Sequence, residues 1–447
     1  MKKLKPSKYN FLFMLENRDM LIFNATSNGF ALVNKDNTEI VQQLLYNPNK
    51  SCSNIEVKEF LNSLKRGKFI LPYNINELAQ LKYRFWKSRF NLHTLSLTIA
   101  PTLNCNFECI YCYETWYKIP KNRTMTKKYQ EMLMKFIIFY IKKGVKTIKL
   151  NWYGGEPLLA FNTIKNLSQR IIKLCRENNV EYNAGIITNG FLLKDKFKDL
   201  LNLGIRSFQI TLDGPPEIHN HYRPLKGGGP TFSTILENIK ILAKHEKCHI
   251  GVRINISKDN LSQVNELINI LEKEGLKNKI NIYPGQLHIE EGKPRLNCLS
   301  DVSFSEAEVN FMRTLINKGW KISIPPMIRS VFCSAYTVNS FTIDPYLNLY
   351  KCWDLIGLDD YKVGFINEEG KPVFNENNLI WLSLDPFEIE ECRNCKFLPL
   401  CMGGCLANSI KELINHGNNV RGNCTFLKNN LGKKLKIYYK YLEESNT

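Results

Sequence analysis

Residues 93–288 alternate between strand-like and helix-like segments, and this alternation limits the possible folds more than any other feature. The six segments rich in β-forming residues are TLSLTIAPT, TIKLNWYG, NAGIITNG, SFQITLDG, HIGVRINI and KINIYPG. Amphipathic segments with helical periodicity lie between them, and Gly144, Gly204 and Gly275 mark the ends of three helices. Such alternation predicts a parallel sheet with crossover helices. The expected fold class is α/β, with a partial (β/α)6 barrel of the TIM type.

The segments on either side of the barrel have different patterns. Residues 1–92 combine strand-like runs with two amphipathic segments, which predicts a small α+β module. After residue 290 the periodicity weakens, and 7 of the 14 cysteines lie between 333 and 424. We therefore expect the barrel at 93–290, a bridging region at 291–330, and a cysteine-rich domain at 331–447 that ends in a helix.

The charge of the chain limits the kind of partner. The chain has 61 Lys and Arg against 42 Asp and Glu, a formal charge of +19. That charge favours an acidic or phosphate-bearing partner, or it only keeps a lysine-rich surface soluble. No recognisable nucleic-acid module adjoins the basic runs MKKLKPSK and KKLKIYYK, so a nucleic-acid partner is not expected.

The apolar segments and the cysteines predict the compartment. The N-terminal segment does not read as a secretory signal, and no uncharged apolar run approaches the ~20 residues needed to cross a bilayer. We therefore expect a cytoplasmic protein with no membrane partner. In a reducing compartment, 14 cysteines indicate metal or cluster ligation rather than a disulfide framework.

The segment CNFECIYC places Cys105, Cys109 and Cys112 directly after the first barrel strand. A loop in that position lies at the C-terminal face, where barrel enzymes carry their chemistry. Three thiolates on a short loop can bind three corners of a 4Fe–4S cluster and leave the fourth iron open. The alternatives are a zinc site completed from elsewhere in the chain, or core cysteines without a ligand.

The C-x3-C-x-aromatic-C spacing after a first barrel strand resembles the radical S-adenosylmethionine (SAM) enzymes. The resemblance implies that the open iron chelates the amino and carboxylate groups of SAM. It also implies that cleavage of SAM gives a 5′-deoxyadenosyl radical, which abstracts hydrogen from an unactivated C–H bond. By the same resemblance, Tyr111 flanks the adenine.

Further motifs at the strand ends match this family. They are WYGGEP after the second strand, ITNG after the third, ITLDGPPEIHNHYRP after the fourth and VRINISKDN on the fifth. GGEP alone is also compatible with an ordinary turn. The resemblance implies that Glu156 accepts a hydrogen bond from the methionine ammonium, and that His219 and His221 belong to a loop rather than a metal site. The cofactor-binding residues that it implies are Tyr111, Gly154, Gly155, Glu156, Thr188, Asn189, Thr211, Asp213 and Arg253.

The spacing of the seven C-terminal cysteines resembles the SPASM domain, which carries two auxiliary 4Fe–4S clusters. The resemblance assigns Cys392, Cys395, Cys401 and Cys424 to one cluster. It assigns Cys333, Cys352 and Cys405 to the other, whose fourth iron is open or bound by an unidentified ligand. Structural zinc sites of the ribbon type are the alternative.

The chain departs from this pattern at two positions. Leu347 occupies a place in IDPYLN where the family usually has glycine. Sulfatase-maturing members carry an Asp directly after the cysteine equivalent to Cys352, whereas this chain has Trp353 there and Asp354 one position later. A shift of one position in a strand or turn reverses the side chain, which argues against a sulfatase-maturing enzyme.

SPASM enzymes modify peptides, and residues 1–92 resemble the winged-helix modules that recognise leader peptides. The predicted function is modification of a ribosomally made precursor peptide, most plausibly by thioether crosslinks, with carbon–carbon crosslinks or epimerisation as alternatives. The expected partners are that peptide with its leader and a reductant such as flavodoxin or ferredoxin. A sulfatase-type maturase that makes formylglycine is the nearest alternative. A non-catalytic Fe–S or zinc protein that binds nucleic acid is the more distant one.

Overall fold

The computed structural model describes residues 3–49, 54–112, 124–287, 297–322, 328–416, 424 and 427–446 of the chain. The chain divides into two compact units. The terminal unit comprises Met1–Phe90, Ile322–Cys333 and Leu384–Thr447, and the barrel unit comprises Asn91–Lys321 and Ser334–Ser383. Each unit is therefore assembled from separate stretches of sequence.

Strands and helices are numbered in chain order. The strands are β1 Leu4–Pro6, β2 Asn10–Met14, β3 Met20–Asn24, β4 Gly29–Val33, β5 Ile70–Pro72, β6 Thr94–Ile99, β7 Thr147–Trp152, β8 Glu181–Ile187, β9 Ile205–Thr211, β10 His249–Ile256, β11 Asn281–Gln286, β12 Ser340–Ile343, β13 Asn348–Tyr350, β14 Gly364–Ile366 and β15 Pro372–Phe374. The helices are α1 Thr38–Tyr46, α2 Ile55–Arg66, α3 Glu77–Arg89, α4 Lys127–Lys142, α5 Phe161–Glu177, α6 Phe197–Asn202, α7 Pro216–Tyr222, α8 Phe232–Leu242, α9 Val264–Lys273, α10 Asp301–Asn317, α11 Glu376–Ser383, α12 Glu390–Arg393, α13 Leu398–Cys401, α14 Leu406–His416 and α15 Leu427–Asn446.

The barrel unit is built on one twisted sheet with the strand order β11-β10-β9-β8-β7-β6-β12-β13-β14-β15. Strands β6 to β11 are parallel to their neighbours throughout. The predicted parallel sheet with crossover helices is confirmed, and its six parallel strands are consistent with a partial TIM barrel. All carboxyl ends of these strands therefore lie along one edge.

Local sequence explains where the barrel helices begin and end. The side chains of Thr126 and Ser300 accept hydrogen bonds from backbone N–H groups at the starts of α4 and α10. Gly144, Gly204 and Gly275 follow α4, α6 and α9 and have φ angles of 94°, 72° and 69°. Glycine reaches this left-handed region without steric cost, which allows the chain to turn back to the next strand.

The parallel sheet continues into the cysteine-rich part of the sequence. Strand β12 pairs in parallel with β6, and β13, β14 and β15 follow it as an antiparallel meander. Residues 334–383, which the sequence assigns to a separate C-terminal domain, thus extend the barrel sheet. The four domain ranges drawn from the sequence remain predictions.

The IDPYLN turn between β12 and β13 keeps a left-handed backbone without glycine. Leu347 has a φ angle of 67° and is only 1% exposed. Asp344 supports the turn, because its Oδ1 accepts hydrogen bonds from the N–H groups of Tyr346 and Asn348, both at 2.9 Å. Burial of the Leu347 side chain offsets a strain of roughly 1–3 kcal/mol for a non-glycine residue in this region.

The terminal unit combines residues from both ends of the chain. An antiparallel sheet of order β2-β3-β4 and the pair β1-β5 belong to the N-terminal stretch. Phe11 of β2 makes an edge contact with Phe397 at 4.9 Å between ring centroids, and Phe30 of β4 lies 6.0 Å from Tyr438 of α15. The apolar core of the N-terminal part is formed by Met20, Ile22, Val33, Val41, Leu44, Leu45, Leu64, Phe69 and Ile70. No helix in the described part of the chain has both the length and the apolar content that a bilayer-spanning segment needs.

Phe341 tests whether β12 is part of the barrel core. Its ring is 2% exposed and lies 5.9 Å from Phe136 and 6.0 Å from Tyr140, both on α4. We expect Phe341→Ala to lower the free energy of unfolding by ~3–5 kcal/mol, because it leaves a cavity between β12 and α4. Phe365→Ala on β14, where the ring is 47% exposed, is the matched control and should cost less than ~1 kcal/mol. Urea unfolding followed by circular dichroism measures both, and equal losses would contradict this packing.

Candidate active site

The three clustered cysteines lie on the loop after β6, at the carboxyl edge of the parallel sheet. The N–H group of Phe107 donates to the Cys105 thiol at 3.4 Å, and the N–H group of Cys112 donates to the carbonyl of Cys109 at 3.1 Å. All three cysteines are partly buried. The structure thus places Cys105, Cys109 and Cys112 on one short loop where the strand ends meet; this loop is called the cluster loop below.

The cluster loop is paired to the segment that follows α7. Ile110 N donates to the carbonyl of Tyr222 at 3.0 Å, and Glu108 N donates to that of Pro224 at 3.0 Å. In the other direction, Lys226 N donates to the carbonyl of Asn106 at 2.8 Å. Sequence reasoning did not predict this pairing, because no local pattern in either segment specifies its distant partner.

The two glycines of WYGGEP let the second loop lie directly against the cluster loop. A Cβ atom on Gly154 would lie 2.2 Å from the carbonyl oxygen of Thr102, and one on Gly155 would lie 2.4 Å from that of Asn104. Gly154 also has a φ angle of 119°. The predicted close approach of these glycines to SAM remains a prediction; the close approach that the structure shows is to the chain's own backbone.

Glu156 joins the second and third loops through a buried carboxylate. It accepts hydrogen bonds from the hydroxyl of Thr188 at 2.8 Å, from Asn189 N at 2.8 Å and from Leu158 N at 3.0 Å. Burial raises the pKa of Glu156, and these donors oppose that rise. A carboxylate offers about four lone-pair positions, so this network leaves room for one further donor. Contact with the methionine ammonium therefore stays a prediction for Glu156.

The amide of Asn189 extends this network to the cluster loop. Its Nδ2 donates to Oδ1 of Asn106 at 2.8 Å. Asn106 lies between the first two cysteines, and its side chain had no role in the sequence analysis. The third strand end is therefore tied to the cysteines through one amide pair.

A second polar network holds the hydroxyl of Tyr111, which is itself a residue of the cluster loop. Its hydroxyl donates to Oδ2 of Asp213 and accepts from Nη1 of Arg223 at 2.6 Å and from Nδ2 of Asn255 at 3.0 Å. Asp213 is fully buried, and its Oδ1 accepts from Asn255 N at 2.9 Å. The hydroxyl of Tyr111 already has three hydrogen-bond partners in this network. Contact with adenine therefore remains a prediction, and it concerns the ring of Tyr111.

Of the remaining predicted residues, Thr211 ends β9 and Arg253 lies within β10. Thr211 is paired with Arg253 in the parallel register, and Arg253 Nε donates to Oδ1 of Asn255 at 2.8 Å. His219 is fully buried, and its Nδ1 accepts from Asp213 N at 3.2 Å. Burial lowers the pKa of His219, so the ring stays neutral and serves as a support for Asp213.

The charges around Tyr111 bring a cation close to the cysteines. Burial favours a lower pKa for Arg223, but Cys109, Tyr111 and Asp213 raise it well above its ordinary value. Burial raises the pKa of Asp213, and Arg223 opposes that rise. The guanidinium of Arg223 therefore stays charged within electrostatic range of Cys109, whose thiolate form it favours.

The cysteine trio suits a cationic iron cluster. Burial, together with charge repulsion from Glu156, Cys109 and Cys112, raises the pKa of Cys105 to about 12, although the hydrogen bond from the N–H group of Phe107 opposes that rise. Thiols in such a place lose their protons only when a cation binds them. A 4Fe–4S cluster here would supply an electron and an open iron. Among the residues that the structure describes, no three His, Cys, Asp or Glu side chains converge as ligands of a single metal ion.

Four C-terminal cysteines come together in the terminal unit. Burial, together with charge repulsion from Cys401, Cys424 and Cys395, raises the pKa of Cys392 to about 12. Nζ of Lys428 donates to the sulfur of Cys424 at 3.1 Å. The four cysteines that the sequence groups together thus interact electrostatically. Of the other predicted set, Cys333 and Cys405 belong to the terminal unit and Cys352 to the barrel unit, so this second cluster remains a prediction.

The structure changes the sequence argument about Asp354. That argument assumed a strand or turn after Cys352, whereas Trp353–Leu355 is a 3₁₀ helix, in which a shift of one position does not reverse a side chain. Burial raises the pKa of Tyr153 well above its ordinary value, and Asp354, Cys112 and Cys352 add to the rise. Asp354 therefore lies in the same neighbourhood as a cluster-loop cysteine.

Comparison with known proteins identifies the domain that carries this site. Residues 99–271 match the family model described as the radical SAM superfamily. These residues form a radical SAM domain, and the chain is a radical SAM enzyme. Such a domain implies a 4Fe–4S cluster that works with SAM.

The similar proteins include a sulfatase-maturating enzyme and a cyclopropyl synthase. The cysteine-type anaerobic sulfatase-maturating enzyme of Clostridium novyi is 26% identical over 73% of this chain and 92% of that enzyme. The radical SAM cyclopropyl synthase TigE of Paramaledivibacter caminithermalis is 23% identical over 96% of this chain and 94% of that enzyme. The chain is homologous to both.

A solved structure shares the fold over nearly the whole chain. Streptococcus suis SuiB bound to its precursor peptide SuiA covers 92% of this chain and 97% of SuiB, with a TM-score of 0.51 and 15% identity. At that identity the likeness concerns the fold alone.

Glu156→Gln tests the buried carboxylate. We expect it to lower the free energy of unfolding by ~1–3 kcal/mol. The glutamine amide replaces an oxygen that accepts a hydrogen bond with an NH2 group, which faces another donor and cannot accept. Glu181→Gln is the matched control, since Glu181 is exposed and accepts from Asn183 Nδ2 at 2.9 Å, and it should change stability by less than ~0.5 kcal/mol. Urea unfolding of the metal-free proteins compares the two. A loss at Glu156 no larger than that at Glu181 would show that the carboxylate does not hold the loops together.

Proposed function

We propose that this radical SAM enzyme is a maturase that modifies a ribosomally synthesised precursor peptide. The observation that carries the proposal is the terminal unit, in which a small antiparallel sheet and a four-cysteine group belong to one compact body. A sheet with edge strands can bind a peptide, and cysteine groups of this kind can hold auxiliary clusters. Enzymes that act only on small molecules need no such unit for peptide capture.

The leader of the peptide would bind by strand addition. Strands β2 and β4 are the edges of the three-stranded sheet. On β2, Leu12 and Met14 are 41% and 46% exposed and lie two positions apart, so they project to the same face. An added strand gains main-chain hydrogen bonds at the edge and apolar contacts on that face. The formal charge of +19 suits an acidic leader, and SuiB, which shares the fold, binds a precursor peptide.

The proposed cofactor set follows the cysteines. Cys105, Cys109 and Cys112 would hold the cluster that works with SAM. Cys392, Cys395, Cys401 and Cys424 would hold one auxiliary cluster, and Cys333, Cys352 and Cys405 the other. The residues proposed to line the SAM site are Tyr111, Gly154, Gly155, Glu156, Thr188, Asn189, Thr211, Asp213 and Arg253. A cytoplasmic flavodoxin or ferredoxin would supply electrons.

A thioether crosslink is the proposed product. Its formation removes one hydrogen atom from a carbon, which the 5′-deoxyadenosyl radical takes, and one proton from a cysteine thiol of the peptide. One electron is left over as the carbon–sulfur bond forms. An auxiliary cluster of this chain would accept that electron. The product is therefore two hydrogens lighter per crosslink.

Formylglycine formation is the second candidate function. It is favoured by the position of Asp354, whose charge acts on Tyr153 together with Cys112 and Cys352. A carboxylate near the site of hydrogen abstraction can take the proton of a substrate thiol. The similarity to a cysteine-type sulfatase-maturating enzyme over 92% of its length supports the same function.

The mass of a modified peptide distinguishes these functions. A precursor peptide encoded beside the gene is co-expressed without oxygen with the enzyme, and its intact mass is measured. We expect a loss of two hydrogens per modified site, because a thioether replaces one C–H and one S–H bond. The Cys105→Ala enzyme is the control and should leave the peptide unchanged, since it lacks one of three ligands of the SAM cluster.

Other outcomes contradict the thioether assignment. If the enzyme converts a cysteine of a sulfatase-type peptide to an aldehyde, and the Asp354→Asn enzyme does not, the protein is a sulfatase-maturating enzyme instead. An unchanged mass with solvent deuterium uptake would establish epimerisation. Release of 5′-deoxyadenosine with no change in any peptide encoded beside the gene would contradict the proposal of a peptide substrate.

Iron content tests the cofactor set. Three 4Fe–4S clusters predict roughly 12 Fe per chain in the anaerobically reconstituted protein. Replacing Cys105, Cys109 and Cys112 together by alanine should reduce this to roughly 8. Cys175→Ala is the matched control, because Cys175 is buried on α5 and belongs to no predicted cluster, and it should leave iron unchanged. A wild-type value of roughly 4 would remove both auxiliary clusters from the proposal.

A further inference from the structure

The segment from Ser7 to Phe11 is held firmly inside the terminal unit. The Ser7 hydroxyl donates to Oε1 of Glu77 at 2.5 Å, and Lys8 N donates to Oε2 of the same carboxylate at 2.9 Å. Glu77 is the first residue of α3. Ala25 N donates to the carbonyl of Tyr9 at 3.0 Å, which adds a third attachment. The side chains of this segment therefore have defined positions.

This segment lies against the loop that carries Cys395. Nζ of Lys8 donates to the carbonyl of Arg393 at 3.0 Å, and Phe11 contacts Phe397 at 4.9 Å between ring centroids. Arg393 and Phe397 stand two positions before and two positions after Cys395. The contacts therefore flank the cysteine on both sides.

Tyr9 lies between these two contacts and is fully buried. Its hydroxyl has no hydrogen-bond partner among the residues that the structure describes. Burial, the Glu77 carboxylate and the Cys395 thiolate all raise the pKa of Tyr9, so the hydroxyl keeps its proton and lies within electrostatic reach of the sulfur. A buried hydroxyl without a partner costs about 1–3 kcal/mol, so its presence calls for an explanation.

We propose that the Tyr9 hydroxyl donates a hydrogen bond to the sulfur of Cys395 when a cluster is bound to Cys392, Cys395, Cys401 and Cys424. Tyr9 is then a positioning residue for that cluster, supplied by the opposite end of the chain. The proposal rests on the auxiliary-cluster part of the proposed function. It goes beyond that function because no ligand pattern in the C-terminal cysteines points to residue 9.

The expected effect of this bond is on the reduction potential. A hydrogen bond to a cluster sulfur stabilises the reduced, more negative state and so raises the potential. Lys428 acts in the same direction from α15, because its ammonium donates to the sulfur of Cys424 at 3.1 Å. One neutral donor and one cation thus face two different ligands of the same cluster.

Tyr9→Phe tests the proposal, because it removes the hydroxyl and keeps the ring. The full-length reconstituted protein is titrated with dithionite and followed by electron paramagnetic resonance. The signal of this cluster is identified as the one that changes in Cys424→Ser. We expect Tyr9→Phe to lower the reduction potential of the cluster that gives this signal, and of no other cluster, by ~59 mV. For a one-electron step, this shift is a tenfold fall in the ratio of reduced to oxidised cluster at a fixed applied potential.

Tyr182→Phe is the matched control. Tyr182 also buries its hydroxyl, but in β8 of the barrel unit, where the cysteine that acts on it is Cys175, which belongs to no predicted cluster. This variant should leave all potentials unchanged. Iron content is measured in every sample, so that loss of a cluster is separated from a shift in its potential.

Three outcomes would overturn the proposal. An unchanged potential in Tyr9→Phe with full iron content would show that no such bond exists, and would leave the proposed function intact. An equal shift in Tyr182→Phe would show a general effect of removing buried hydroxyls. Wild-type protein with no signal sensitive to Cys424→Ser would remove the cluster itself, and with it this part of the proposed function.

Discussion

The site depends on how the cluster loop is held, and a buried carboxylate next to the loop is central to this. The loop backbone is also hydrogen-bonded to the distant segment 222–226. Glu156 brings the second and third strand ends together, and Asn189 passes that restraint to Asn106 between the cysteines. Gly154 and Gly155 make the arrangement possible, because any side chain there would collide with the loop. Contacts within the chain itself thus set the position of the cysteines.

Buried charges below the loop complete the site and connect it to the chemistry. Tyr111, Asp213 and Arg223 form a network in which every charge has a partner, which offsets the cost of removing them from water. The network keeps a guanidinium within electrostatic range of Cys109. A fixed cation at that range favours the thiolate, which is the form of cysteine that binds iron. The same residues that stabilise the fold therefore prepare the electrostatics of the site.

Two sequence arguments needed the three-dimensional structure to be judged. Leu347 suggested a departure from the expected glycine turn, yet the backbone adopts the left-handed conformation, because burial of the leucine offsets its strain. The shift of Asp354 by one position suggested that its side chain points opposite to the family's aspartate. A 3₁₀ helix follows Cys352, however, and the alternation of side chains along a strand does not apply there. Both cases depend on backbone conformation, which neighbouring elements select.

The sequence by itself determined the parallel sheet, the position of the cysteine loop after β6 and the spacing of the C-terminal cysteines. These features follow from periodicity and from ligand spacing, which are local properties of the chain. Only the tertiary structure decided that β12 pairs with β6 and that the Glu156 carboxylate accepts a hydrogen bond from Thr188. It also decided that Tyr9 lies within electrostatic range of Cys395. These contacts join residues far apart in sequence, and such pairings are selected by packing and by the satisfaction of buried polar groups rather than by any local pattern.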